Sequence, residues 1–83
     1  MTKLSKENLE AITNHIIELS RDAIKKRYSG YAMFSDEAAN YLGVPEQDIL
    51  DSAEEIVQSV MDTNEFSCVY TIDSDNVGCF KTA

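Results

Sequence analysis

Between Ser35 and Ile49 the chain sets Ala39, Gly43, Val44 and Ile49 at spacings that allow few paths. A small residue at 39 lets two helices cross closely. Gly43 supplies the left-handed conformation that a tight turn needs. Pro45 suits the first position of a following helix. The stretch therefore predicts a short helix over 35–42, a turn, and a helix over about 45–63 stopped near Asn64. Ala38, Ala39 and Leu42 would face inward on the first helix. On the second, Ile49, Ala53, Ile56 and Val60 form one apolar row, and Leu50, Val57 and Met61 form another beside it.

The flanking segments complete one small domain over 1–83. Leu9, Ile12, Ile16, Leu19 and Ala23 recur at intervals of three and four and predict an amphipathic helix over about 6–28. Ile17, Ile24 and Tyr28 widen its apolar face. Ser5 is placed as its N-cap, Leu4 and Leu9 as a hydrophobic staple, and Ser29-Gly30 as its end. The segment from Tyr31 to Phe34 reads equally as a brief strand or as a connector pinning Phe34 in the core. Phe66, Cys68, Tyr70 and Ile72 alternate with Ser67, Val69 and Thr71 at strand spacing. A turn at 73–76 leads to a returning strand, giving a C-terminal hairpin over about 66–72 and 77–81. The class expected is α+β, mainly α: three helices and a hairpin.

The spacing over 35–49, followed by a helix and a hairpin, resembles the winged helix-turn-helix superfamily. The resemblance implies a winged-helix-like fold. It also implies a DNA-reading role for side chains opening the second helix of the motif, here Pro45, Glu46, Gln47, Leu50 and Asp51.

Charge opposes that role. The chain carries −8 overall, with 15 acidic and seven basic side chains. Residues 1–27 hold six basic and four acidic groups, a balance of +2, and residues 28–83 hold Lys81 against eleven acids, a balance of −10. Gln47 has the chemistry to read adenine. Glu46, Asp48 and Asp51 would meet a dense line of phosphates. The hairpin tip adds Asp73 and Asp75. Asp51, Glu54, Glu55, Gln58 and Asp62 form a stripe that no lysine interrupts.

The function expected from these residues is a non-enzymatic, acidic protein-binding module. It would regulate or inhibit a partner by docking on that partner's basic, nucleic-acid-binding surface, as a mimic of the polyanion. Partner contacts are assigned to Glu46, Asp48, Asp51, Glu54, Glu55, Gln58, Asp62, Asp73 and Asp75, with Tyr31 and Met33 as apolar anchors. One alternative is a winged-helix transcription regulator that binds DNA, through Arg21, Lys25, Lys26 and Arg27 with Gln47. Another is a structural protein that self-associates through the first helix, as a homodimer for example.

Other chemistries have little support in the sequence. Asp73, Asp75 and Gly78 match the first, third and sixth positions of a calcium loop. Val77 replaces the required fifth ligand, and the flanks read as strands. Cys68, Cys79 and the lone His15 fall one ligand short of a zinc site. No base stands near a nucleophile, and no glycine-rich phosphate loop occurs. No cofactor, metal or catalytic residue is expected. A hairpin with a four-residue turn sets Cys68 opposite Lys81 and Cys79 opposite Tyr70, too far apart diagonally for a disulfide. A shifted register would put the two thiols on opposite faces. No apolar run spans a bilayer, and the N-terminal residues show no secretory pattern, so a cytoplasmic location is expected.

Overall fold

The computed structural model describes residues 4–68 and 76–82. It contains helix α1 (Lys6–Lys25), strand β1 (Tyr31–Phe34), helices α2 (Ser35–Leu42), α3 (Glu46–Asp51) and α4 (Ala53–Met61), and strands β2 (Phe66–Cys68) and β3 (Asn76–Thr82). The strands form an antiparallel sheet in the order β1-β3-β2. The class is α+β, mainly α, as expected.

Helix α1 starts where its cap predicts: Asn8 N–H donates to Ser5 Oγ at 3.1 Å. Leu4 and Leu9 both pack on the core. Its end is earlier than the apolar pattern suggests. Arg27 adopts a left-handed φ of 70°, Arg27 N–H donates to Ile24 O, and Tyr28 N–H reaches back to Ala23 O. This pair of bonds closes a Schellman turn. Tyr28 therefore leaves the apolar face and is 66% exposed. Gly30 does not end the helix; it lets the chain pass β3. A Cβ there would lie 2.5 Å from Phe80 O and 2.8 Å from Lys81 Cγ.

Of the two readings of 31–34 the strand holds, and its alternation turns Met33, expected as an exposed anchor, inward. Met33 is fully buried, whereas Phe34 points outward and is 49% exposed. Phe34 is thus not pinned in the core. Tyr31, Ala32 and Met33 pair with Phe80, Cys79 and Gly78, and Phe34 pairs with Asn76. Val77 is the extra residue of a bulge in β3, and its side chain is buried.

The helix expected over 45–63 is divided at Ser52 (φ −108°, ψ 7°). The i→i−4 bonds Ser52 N–H to Asp48 O and Ile56 N–H to Ser52 O persist through the break. The row Ile49, Ala53, Ile56 and Val60 is therefore buried on both sides of it. The buried Ser52 hydroxyl accepts a hydrogen bond from Leu4 N–H at 3.0 Å, tying the start of the chain to the bend.

The inner face of the sheet presents Met33, Phe66, Val77 and Phe80 to α1 and α4. Ile12, Ile16, Ile49, Ile56 and Val60 complete the core. At roughly 1.5–3 kcal/mol for each large side chain removed from water, this cluster dominates the folding energy. One polar group in it is uncompensated. Ser20 is fully buried, and its Oγ has no hydrogen-bond partner. Alanine is also the better helix former. Ser20→Ala is expected to raise the unfolding free energy by about 1 kcal/mol in urea titrations. A loss of stability would mean that the hydroxyl is satisfied.

Candidate functional site

The acidic surface is built on the bent pair α3–α4. Burial of Ile49, Ala53, Ile56 and Val60 turns the opposite side outward: Glu46, Gln47, Asp51, Glu54, Glu55, Gln58 and Asp62 are exposed, and Asp48 is half-buried. Two glutamines stiffen the stripe. Gln47 Nε2 donates to Asp51 Oδ1 at 2.9 Å, and Gln58 Nε2 donates to Asp62 Oδ1 at 2.7 Å. Both bonds span one helical turn, the spacing at which such side chains meet. Ser35 Oγ donates to Glu46 Oε1 at 3.1 Å, linking the starts of α2 and α3.

Two of the basic groups, Arg21 and Lys26, are engaged elsewhere. Arg21 makes a bidentate pair with Glu65, Nε to Oε1 and Nη2 to Oε2, both 2.7 Å. The hydrogen bond and charge of Arg21 hold the Glu65 carboxyl below its usual range, and Glu65 raises Arg21 in turn. Lys26 Nζ lies 3.0 Å from Asp22 Oδ2 on the preceding turn. Among the described residues, no such ion pair joins a cation to Glu46, Asp48, Asp51, Glu54 or Asp62. Lys25, Lys26 and Arg27 are exposed at the end of α1, so two of the four cations in the basic patch are already paired with acids of the chain.

The apolar anchors need correction. Met33 is enclosed in the core and is unavailable to a partner, because strand alternation turns it inward. Tyr31 is half-buried, and its hydroxyl donates to Glu37 on α2. Phe34 is the exposed ring instead. It lines a surface cavity with Ser35, Asp36 and Glu46. Sequence reasoning missed Phe34 and Asp36 as site residues. Tyr41 is 52% exposed and stacks on His15 of α1, with ring centroids 3.7 Å apart and planes 4° from parallel. Asp73 and Asp75 lie outside the described residues, as do the hairpin turn and the calcium-loop reading placed on it.

Burial, and then the bond to Glu37, push the Tyr31 phenol well above its ordinary value. The folded-state pKa is raised, so this group's contribution is fully present below the unfolded pKa of about 10 and is lost as pH climbs beyond it. Alkaline titration followed by tyrosinate absorbance is expected to show a late component that coincides with unfolding. Tyr31→Phe should remove that component and reduce the steepness of the alkaline stability loss. An unchanged titration would place the phenol in water.

The hairpin register differs by one residue from the four-residue-turn pairing. Ser67 pairs with Lys81 and Cys68 with Phe80, so Cys68 faces inward with the Phe80 ring. Cys79, opposite Ala32, is on the other face. Neither cysteine is in a disulfide. Among the described residues, no group of three His, Cys, Asp or Glu side chains is arranged to hold a metal ion, and no helix is long and apolar enough to cross a membrane.

The geometry thus offers an acidic helical face on α3 and α4, with a half-exposed phenylalanine in the cavity at its Glu46 end. Comparison of the chain with protein-family models, curated proteins and solved structures finds no match.

Proposed function

We propose that this protein is a non-catalytic binding module that docks the face of α3 and α4 onto a positively charged surface of another protein. One observation carries the reading. Glu46, Asp48 and Asp51 of α3 form no ion pair with a cation among the described residues, whereas Arg21 and Lys26 pair with Glu65 and Asp22. The order α1-β1-α2-α3-α4-β2-β3 with sheet order β1-β3-β2 supports the resemblance to winged-helix domains. So do the left-handed Gly43 at φ 69° and the buried Ala39 and Ile49. On such a scaffold the groove-reading position would contact phosphates. Here it repels them and complements lysine and arginine. A surface that normally receives nucleic acid is the fitting target, since it is already arranged for ordered negative oxygens.

The test uses two probes at low ionic strength, a fluorescent random-sequence duplex and an octa-arginine peptide. The reading expects no duplex binding, and peptide binding that weakens as salt is added. Tight, salt-sensitive duplex binding would replace this reading with DNA recognition through the end of α1.

A further inference from the structure

We infer that the cavity lined by Phe34, Ser35, Asp36 and Glu46 seats an arginine side chain of the protein partner, its guanidinium stacked on the Phe34 ring between the two carboxylates. The inference rests on the docking role proposed above and adds the side chain recognised there. Three features converge at this point. The bulge in β3 accompanies a shift of register between Met33 and Phe34, and Phe34 lies at the end of β1, facing away from the core. Its ring is 49% exposed and forms the apolar wall of the cavity. Asp36 and Glu46 supply negative charge beside that wall, from the first turns of α2 and α3.

The carboxylates are positioned rather than loose. The Ser35 hydroxyl, itself buried, holds Glu46 Oε1 at 3.1 Å. Asp36 Oδ1 accepts from Glu37 N–H at 2.9 Å. A carboxylate offers about four acceptor positions, so one bond each leaves capacity for an incoming fork of N–H donors. The helix starts contribute partial positive charges of about half a unit, which two full negative charges outweigh. A guanidinium suits this composition better than an ammonium. It is planar, is weakly hydrated, stacks on aromatic faces and donates two parallel bonds to a carboxylate.

The experiment compares octa-arginine with octa-lysine at equal salt, for the unchanged protein and for Phe34→Ala, Phe34→Leu and Phe34→Trp. Circular dichroism confirms the fold of each variant. The unchanged protein is expected to bind octa-arginine about fivefold more tightly than octa-lysine. Phe34→Ala and Phe34→Leu should bring the two peptides to equal affinity, and Phe34→Trp should keep the preference. Leucine separates ring chemistry from apolar area, and the paired peptides separate both from net charge. An arginine preference that survives Phe34→Ala or Phe34→Leu would overturn the seat and leave the acidic docking face standing. Failure of the unchanged protein to bind either peptide would overturn the docking reading, and the seat with it.

Discussion

Phe80→Ala is expected to cost about 3–5 kcal/mol, the range for removing a fully enclosed aromatic side chain. An 83-residue domain holds only about 4–12 kcal/mol in total. Phe80 is the largest of the fully buried side chains among the described residues and sits on the central strand of the sheet, paired with Tyr31 on one side and Cys68 on the other. Its ring also covers Gly78. A Cβ at Gly78 would lie 3.4 Å from Phe80 Cζ, and 3.2 Å from both Val57 Cγ2 and Cys68 Sγ. The Phe80 side chain, α4 and β2 therefore meet at one point. The midpoint of thermal unfolding should fall by about 12 °C or more. Tyr28→Ala, at a site 66% exposed, serves as the reference and should change stability by no more than about 0.5 kcal/mol. A Phe80→Ala midpoint within a few degrees of the parent would place the ring outside the folding core.

The second large effect concerns binding. Asp51→Lys combined with Glu54→Lys is expected to weaken octa-arginine binding about tenfold to a hundredfold at low salt, with the fold intact. The two sites are chosen so that helix electrostatics nearly cancel. Asp51 closes α3, where a cation is favoured, and Glu54 lies in the first turn of α4, where an anion is favoured. Both side chains are exposed, so little packing is lost. A control variant, Glu10→Lys with Glu18→Lys on exposed positions of α1, changes the net charge by the same amount. It should weaken binding only by the general reduction in attraction, a few-fold at most. Equal losses in the two double variants would show that total charge, and not the α3–α4 face, attracts the peptide.

Legibility of the fold in the sequence followed how strongly each periodic signal was constrained. The row Ile49, Ala53, Ile56 and Val60 was readable because its spacing is continuous, and it survives the bend at Ser52. The bend itself was not readable. It goes with a hydroxyl bond to Leu4, 48 positions away, which no local pattern encodes. The end of α1 was misplaced because Tyr28 falls in phase with the apolar face, and a Schellman turn on the non-glycine Arg27 intervenes. Gly30, which looks like a helix stop, instead answers to the backbone of Phe80 on a distant strand.

The site divides in the same way. The exposure of Glu46, Asp51, Glu54, Glu55, Gln58 and Asp62 was visible from the phase of the helix opposite the apolar rows. Met33 was misplaced as an exposed anchor, and the side on which Phe34 falls was left open. Two adjacent apolar residues at the end of a four-residue strand carry no signal for which one turns inward. Pairing with β3 decides it, and that pairing is long-range. Asp36 was visible only as a residue suited to the first turn of α2. Its place in one cavity with Glu46 depends on how α2 packs against α3.

The most direct measurement is an amide-resolved NMR titration of the isotopically labelled protein with octa-arginine at low salt. The account predicts shift changes concentrated over residues 46–62 and at the junction of β1 with α2, fading together as salt is raised. Changes spread evenly over the acidic surface, or centred on the end of α1, would contradict it.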